Sequence, residues 1–196
     1  IDVKAATEKG IIVTVAREEG PHVVAEHIIG FMIALSRKIV PATISVKRGE
    51  WEVEKFIGKE LMGKMVGIIG LGRIGSEVAV KAKAFNMNLI AYDPYIDKVK
   101  AEKLGVKLTD NLDNLLRVSD YIVITAPLTK ETYKMIDEGA INNMKKGAYL
   151  INCARGAIVD EEALYKALKK GKIAGAAIDV FTIEPCLLYT SDAADD

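Results

Sequence analysis

The sequence feature that most constrains the fold is the segment Gly70-Leu71-Gly72-Arg73-Ile74-Gly75, which separates a strand-like run from a helix-like run. The residues before it, 65–69, form a short apolar run with the length of a buried parallel strand. Residues 73–85 then continue as a helix. A strand, a tight glycine turn and a helix in this order are typical of a βαβ unit that binds a dinucleotide.

The three glycines of this segment have separate roles in such a unit. Gly70 allows the tight turn, Gly72 lets a pyrophosphate approach the backbone, and Gly75 lets the helix pack close to the strand. The unpaired amides and the positive dipole end of the helix then face the phosphates. The motif alone is a weak signal, because flavin enzymes and methyltransferases use similar turns. Further residues in register with it are needed to predict dinucleotide binding.

An acidic residue in register follows the second predicted strand, residues 88–92. Asp93 lies 18 residues beyond Gly75. A carboxylate at this place can accept hydrogen bonds from both ribose hydroxyls and would repel a 2′-phosphate. The sequence therefore predicts dinucleotide binding, with NAD as the cofactor rather than NADP. Asp93 also precedes Pro94 and can act as a turn former, and the two roles are compatible.

Strand-like and helix-like segments alternate after Asp93, as in a doubly wound sheet. We therefore expect an α/β fold, a Rossmann-type doubly wound parallel sheet with a stub of a second, substrate domain. The further predicted strands cover residues 106–108, 121–125, 148–152 and 173–179, and the predicted helices cover 96–104, 111–117, 137–144 and 161–170.

The segments before the glycine turn are less regular. Residues 5–9 are expected to end a helix and residues 11–15 to form a short strand. Residues 23–40 are expected to form a long helix that is apolar around most of its circumference and is therefore buried on more than one side. Pro41 is expected to mark a break, and residues 42–62 to form an arm and a loop.

The composition excludes several classes of protein. The 196 residues include 27 basic and 27 acidic side chains, and this balance predicts no nucleic-acid partner. The longest strongly apolar stretch, residues 28–35, is too short to span a bilayer. Cys153 and Cys186 do not have metal-ligand spacing with the two histidines, so we predict no metal site and expect a reducing cytoplasm.

The two ends of the chain do not have the pattern of natural ends. Residue 1 is Ile rather than Met. Residues 186–196 resemble the in-frame translation of a transposase adapter used in DNA library preparation. We therefore expect a fragment whose last segment is a non-native tail, which is excluded from fold reasoning. The alternative is a genuine acidic C-terminal tail.

Two charged residues follow strand ends, where ligands bind in open parallel sheets. The guanidinium of Arg155 could bind a substrate carboxylate with two hydrogen bonds and polarise an adjacent carbonyl. The carboxylate of Glu184 could orient a catalytic imidazole and raise its pKa. The alternatives are that Arg155 pairs with Asp160 or Glu161, and that Glu184 is a solvated turn residue.

Five segments of the chain resemble the D-isomer-specific 2-hydroxyacid dehydrogenase family, and the resemblance covers residues 1–185. The chain departs from the family at Ala126, where a close relative would carry a hydroxyl residue. A cofactor contact at this position would therefore be made by the backbone. The matching segments are Glu60-Leu61-Met62-Gly63-Lys64, Gly70-Leu71-Gly72-Arg73-Ile74-Gly75, Tyr92-Asp93-Pro94, Asn152-Cys153-Ala154-Arg155-Gly156, and the run from Gly175 to Pro185.

The resemblance implies particular site residues. Arg155 would bind the substrate, and Glu184 would hold a catalytic histidine that is missing from the chain. His22 and His27 are interpreted as loop and helix-surface residues, and Cys153 as a small core-edge residue rather than a nucleophile. The residues implied at the cofactor are Gly70, Gly72, Arg73, Ile74 and Gly75 at the pyrophosphate, Asp93 at the adenosine ribose, Ala126, and Cys153 and Asp179 beside the nicotinamide.

The implied reaction is hydride transfer between NAD and a small-molecule 2-hydroxy or 2-oxo acid. The expected substrate of the intact protein is 3-phosphoglycerate, oxidised to 3-phosphohydroxypyruvate for serine biosynthesis, while this fragment is expected to be inactive. A glyoxylate, hydroxypyruvate or D-lactate reductase and an NAD-sensing corepressor are the alternatives. The expected units are a substrate-domain remnant (1–20) and an NAD-binding domain (21–185), incomplete at its C-terminal end, with helix 23–40 contributing to a homodimer or larger assembly.

Overall fold

The computed structural model describes residues 1–14 and 20–185. Besides the helices and strands given next, this part of the chain contains two short 3₁₀ helices, Val53–Phe56 and Gly156–Ile158. The helices are α1 (Val3–Glu8), α2 (Pro21–Ser36), α3 (Ile39–Lys47), α4 (Arg73–Ala84), α5 (Lys98–Leu104), α6 (Leu112–Val118), α7 (Glu138–Asn143) and α8 (Glu161–Lys169), and the strands are β1 (Met65–Ile69), β2 (Asn88–Tyr92), β3 (Lys107–Thr109), β4 (Tyr121–Ile124), β5 (Tyr149–Asn152) and β6 (Gly175–Ile178).

The described strands form one parallel sheet in the order β3-β2-β1-β4-β5-β6. Ile69, the last residue of β1, lies beside Tyr92 and Ile124. Asn152, the last residue of β5, lies beside Ile124 and Ile178. The residues that follow these strands therefore meet at one edge of the sheet. The strand order reverses between β1 and β4, which is where open α/β sheets bind ligands. The predicted Rossmann-type fold is confirmed.

Helices cover both faces of the sheet. One hydrophobic cluster joins sheet side chains to α2, α4 and α5, and a second joins the opposite face to α6, α7 and α8. Every residue of β4 and β5 is buried. This burial explains why these strands are apolar without alternation, since parallel strands lie between two helical layers.

The helix starts follow from local capping. Five helices begin directly after an Asp or Asn whose side chain accepts a hydrogen bond from a backbone N–H of the first turn. This local signal explains why the predicted and observed starts of the later helices agree closely. The capping residues are Asp2 for α1, Asp97 for α5, Asn111 for α6, Asp137 for α7 and Asp160 for α8.

Several expectations for the first 62 residues are wrong. The long helix predicted over 23–40 is two helices, because Lys38 adopts the left-handed conformation (φ +53°) between α2 and α3. Pro41 lies in the first turn of α3, where its missing N–H would have no intrahelical acceptor anyway. Part of the predicted arm at 42–62 is therefore helical. Residues 11–14 are not a strand, and residue 15 lies outside the described residues.

The predicted tail at 186–196 lies outside the described residues and stays a prediction. The division of the chain near residue 20 also stays a prediction. Within residues 1–14 and 20–185, no helix is both long and apolar enough to cross a bilayer. The same residues contain no group of His, Cys, Asp and Glu side chains that could hold a metal ion.

Candidate functional site

In the turn after β1, two of the three glycines have no space for a side chain, and the third has open space beside it. A Cβ on Gly70, whose φ is +92°, would lie 2.7 Å from the backbone of Ala126. A Cβ on Gly75 would lie 2.2 Å from the carbonyl oxygen of Gly70. In contrast, no atom lies within 4 Å of the place that a Cβ on Gly72 would occupy. The turn thus leaves open backbone only at Gly72, where the motif requires a pyrophosphate to approach.

The start of α4 provides donors at the same place. Gly72 is the N-cap residue of α4 and supplies no side-chain hydrogen bond to it. The first amides of any helix lack intrahelical acceptors, and they carry the positive end of the helix dipole. Arg73, exposed, and Ile74, half-buried, form the first turn. This arrangement fits a pyrophosphate, with a cationic side chain beside it.

Asp93 is held in place by two backbone amides. Its Oδ2 accepts a hydrogen bond from the Leu71 N–H at 2.8 Å, and its Oδ1 accepts one from the Tyr95 N–H at 3.0 Å. The first bond ties the end of β2 to the glycine turn, and the second is the predicted turn-forming role. A carboxylate has about four acceptor positions, so both ribose hydroxyls can still be accepted. The two roles predicted for Asp93 are compatible in this geometry.

A cleft of about 300 Å³ opens beside Asp93 between the ends of β2 and β4. Its walls include Tyr92, Pro94, Pro127 and Met135, which are mainly apolar. Thr132 supports one wall, because its Oγ1 donates a hydrogen bond to the Pro127 carbonyl at 2.7 Å. An apolar cleft next to a carboxylate that is predicted to bind the ribose is suited to an aromatic base.

Ala126 lies against the glycine turn, as its place in the predicted site requires. The side chain is buried, and the neighbouring Thr125 Oγ1 donates a hydrogen bond to the Gly70 carbonyl at 2.6 Å. β4 and the turn are therefore fixed to each other at the switch point. A methyl side chain adds no hydrogen-bonding group, so any polar contact of Ala126 uses its backbone.

Cys153 and Asp179 lie side by side, because β5 and β6 are neighbours and end in register. The Asp179 N–H donates to the Asn152 carbonyl at 3.0 Å. Burial, with a smaller contribution from the Asp179 carboxylate, raises the pKa of the Cys153 thiol to about 12. The thiol therefore stays protonated near neutral pH and is a poor nucleophile. This supports the interpretation of Cys153 as a core-edge residue.

Arg155 is exposed on a loop whose backbone is hydrogen-bonded to a buried side chain. The buried Asn152 side chain accepts from the Ala154 N–H at 3.1 Å and donates to the Arg155 carbonyl at 3.0 Å. The Arg155 guanidinium donates to the Ala154 carbonyl at 2.6 Å.

Neither of the alternative partners for Arg155 contacts its guanidinium. Asp160 pairs with Lys134 at 2.9 Å, and the Glu161 carboxylate accepts from the Thr182 N–H at 2.7 Å. Both acidic side chains therefore have other partners, and the guanidinium is hydrogen-bonded to its own loop.

The loop after β6 packs directly on the Arg155 loop. A Cβ on Gly156 would lie 2.1 Å from the Phe181 carbonyl carbon, so only glycine allows this contact. Glu161 also accepts from the Thr182 hydroxyl at 2.9 Å. The Glu184 carboxylate is exposed and accepts from the Phe181 N–H at 2.8 Å. In this structure it is therefore bound to its own loop.

Sequence reasoning gave no site role to His27, Asn152 or Glu161. Gly156 was part of a matching segment, and a glycine there permits close backbone approach. His27 could not be found from local pattern. Its ring nitrogen Nε2 lies 3.6 Å from the Asp179 Oδ1, although the two residues are distant in the sequence.

Comparison with known families gives one assignment. The family model described as the NAD binding domain of D-isomer specific 2-hydroxyacid dehydrogenase matches residues 29–190. The chain is 54% identical to the D-3-phosphoglycerate dehydrogenase of Methanocaldococcus jannaschii and 52% identical to that of Archaeoglobus fulgidus. Each match covers 94% of this chain and 35% of the relative, so the chain spans about a third of the length of these curated relatives.

Solved structures with the same fold include two D-lactate dehydrogenases. The enzyme from Aquifex aeolicus, complexed with NAD and lactic acid, is 38% identical with a TM-score of 0.85, and the match covers 100% of this chain and 59% of that one. The apo enzyme from Escherichia coli is 36% identical with a TM-score of 0.86, covering 100% and 61%.

Proposed function

The chain belongs to the D-isomer specific 2-hydroxyacid dehydrogenase family, whose NAD-binding domain matches its residues 29–190, and from this premise we propose its activity. We propose that the intact protein oxidises 3-phosphoglycerate to 3-phosphohydroxypyruvate with NAD. The identity to several D-3-phosphoglycerate dehydrogenases supports this substrate. The observation that carries the cofactor site is the open backbone at Gly72 between the closed positions Gly70 and Gly75.

The residues of the turn would bind and orient the cofactor. Gly72 and the first amides of α4 would hold the pyrophosphate, with Arg73 and Ile74 beside it. Asp93 would accept the hydroxyls of the adenosine ribose, with the base in the adjoining cleft. The Ala126 backbone would contact the cofactor next to the glycine turn. At the other end, Cys153 and Asp179 would adjoin the nicotinamide, which would supply the hydride acceptor.

Arg155 and Glu184 would act on the substrate side. The exposed guanidinium of Arg155 would bind the substrate carboxylate and polarise the carbonyl formed at C2. Glu184 would release the Phe181 amide, hold a histidine and favour its protonated form. Both histidines of this chain lie on α2, and neither follows Glu184 in the sequence. The expected inactivity of the fragment stays a prediction. The cytoplasm remains the proposed compartment, on the basis of cysteine usage.

D-lactate dehydrogenase activity is the second candidate, since solved D-lactate dehydrogenases share the fold over the whole chain. The full-length protein should be assayed with 3-phosphohydroxypyruvate, pyruvate, glyoxylate and hydroxypyruvate under the same conditions. We expect the highest kcat/KM with 3-phosphohydroxypyruvate. A higher value with pyruvate would favour the D-lactate reaction instead.

Asp93→Asn tests the proposed cofactor preference. We expect the wild-type chain to bind NADH and to discriminate against NADPH. Loss of the carboxylate should weaken NADH binding about fivefold to tenfold, since a hydrogen bond to a charged group is lost. It should also reduce the discrimination against NADPH, because the repulsion of the 2′-phosphate is removed. Fluorescence titration of the 196-residue chain with both nucleotides measures this.

Asp97→Asn is the matched control. It removes a charge close by in the sequence, and asparagine is an equally good N-cap for α5. The NADH to NADPH affinity ratio should stay near the wild-type value. Equal affinity of the wild-type chain for the two nucleotides, or no binding of either, would contradict the proposed site.

We also propose a homodimer whose contact begins in the predicted segment 23–40 and continues through residue 57. The inward side of α2 is already covered by its own chain, since Ala25, Ile28, Ile29 and Met32 are buried. In contrast, apolar side chains are exposed in the segment that follows. These residues are Ile39, Val40, Ile44, Val46, Trp51, Val53 and Ile57.

Val46→Glu is expected to convert this dimer into a monomer, because it places a charge in an apolar contact. Sedimentation velocity measures the change, and NADH affinity should not be altered. Val80→Glu is the control, since Val80 on α4 is exposed to a similar extent, 53% against 58% for Val46. A wild-type chain that sediments as a monomer at all concentrations would contradict the proposal.

A further inference from the structure

His27 connects a helix outside the glycine-turn unit to the end of β6. Its Nε2 atom lies 3.6 Å from the Asp179 Oδ1, which is within ion-pair distance but slightly longer than a hydrogen bond. Both side chains are about half exposed, 52% for His27 and 45% for Asp179. The pair is therefore accessible to a bound ligand.

The imidazole is positioned by its helix and by one aromatic neighbour. The opposite side of α2 is anchored by Ala25, Ile28 and Ile29, which are buried in the hydrophobic cluster on one face of the sheet. The ring also packs against Phe31, with centroids 4.1 Å apart and planes at 61°. A ring fixed by its own helix can orient a partner without losing much further entropy.

The Asp179 carboxylate, in contrast, follows a short strand at the edge of the sheet. Its backbone N–H donates to the Asn152 carbonyl, and its carboxylate lies beside His27. Asp179 lies close enough to Cys153 for its charge to contribute to the raised pKa of the thiol. A carboxylate in this position faces the region proposed for the nicotinamide, where it could accept an amide N–H.

We propose that His27 is a positioning residue that donates from Nε2 to Asp179 and orients its carboxylate toward the nicotinamide carboxamide. This inference rests on the proposed function, because it requires NAD in the site. It assigns to α2 an indirect part in cofactor binding, through Asp179. Loss of this contact should therefore weaken the binding of NADH and leave the binding of ADP-ribose, which lacks the nicotinamide, unchanged.

His27→Gln and His27→Asn form a matched pair that tests this role. The Gln amide nitrogen can occupy the place of Nε2, whereas the shorter Asn can reproduce only Nδ1. Both variants are polar and lie on the exposed side of α2, so both should fold. The 196-residue chain is titrated with NADH and with ADP-ribose, which lacks the nicotinamide.

We expect His27→Asn to lose about fivefold in NADH affinity, the scale of one hydrogen bond, with no change for ADP-ribose. His27→Gln should retain most of the wild-type preference for NADH. His22→Asn, the same substitution earlier on α2, should leave the ratio of the two affinities unchanged. A purely structural role would instead change both affinities together.

The outcomes separate this inference from the proposed function. If the wild-type chain binds both ligands and His27→Asn keeps the full preference for NADH, the positioning role is wrong while the cofactor site stands. If Gln and Asn have the same effect, the Nε2 contact is likewise refuted. If the wild-type chain binds neither ligand, the proposed function fails, and the inference fails with it.

Discussion

Gly72→Ala is expected to lose most of the NADH affinity with little loss of stability, whereas Gly75→Ala is expected to lower stability itself. A Cβ on Gly72 meets no protein atom within 4 Å, so it projects into the space proposed for the pyrophosphate. We expect a loss of NADH affinity of about tenfold or more, since backbone approach is blocked. The cost to folding should be about 1 kcal/mol or less, the scale of an N-cap substitution.

A Cβ on Gly75 would instead lie 2.2 Å from a backbone oxygen, so β1 and α4 must move apart. We expect a loss of about 3 kcal/mol, at the upper end of the usual cost of overpacking. For a chain of this length, that corresponds to a fall in Tm of roughly 6–12 °C. NADH binding should be lost as well, because the phosphate turn is displaced.

Thermal unfolding and NADH titration of both variants measure these effects. Gly30→Ala is the control, since Gly30 is helical and has open space around it. Alanine there should raise stability by about 0.5–1 kcal/mol through helix propensity. Normal NADH affinity in a stable Gly72→Ala protein would refute the proposed pyrophosphate site.

The second large effect is expected for Gly156→Ala. The new Cβ would lie 2.1 Å from the Phe181 carbonyl carbon and 2.4 Å from the Thr182 nitrogen. Both are backbone atoms, so no side-chain rotation can relieve the clash. We expect a loss of about 3 kcal/mol and displacement of the loop after β6. Because this loop follows Asp179, the preference for NADH over ADP-ribose should fall as well.

Amide hydrogen exchange together with Tm distinguishes this mechanism from general destabilisation. Protection should fall first at Phe181 and Thr182, whose N–H groups donate to Glu184 and Glu161. Glu161→Gln is a useful comparison, because it weakens the same loop contact without a clash and should have a smaller effect. An unchanged Tm and unchanged exchange at both amides in Gly156→Ala would show that the two loops are not in close contact.

The fold around the proposed cofactor site could be predicted because its signals are local. The glycine spacing, the apolar run before it and the acidic residue after the second strand all lie between Met65 and Asp93. Turn chemistry and hydrophobic period act within such a window. Parallel strands that end in register then place Asp93, Ala126, Cys153 and Asp179 along one edge. Their individual contacts with a cofactor and a substrate stay predictions.

Local pattern failed where the outcome depends on context. Pro41 was interpreted as a helix break, but the left-handed Lys38 ends α2 earlier and leaves Pro41 in a first turn that tolerates proline. The apolar residues around α2 predicted that this helix is buried. They did not predict which helices and strands cover it.

The helices and strands after the glycine turn, and the cofactor type, followed from short segments of sequence, because propensity, capping and turn geometry involve only neighbouring residues. The contact of His27 with Asp179 and the packing of Gly156 on Phe181 required the tertiary structure. Both join residues that are distant along the chain. Such contacts depend on how whole helices and strands pack, and no short segment of sequence contains that information.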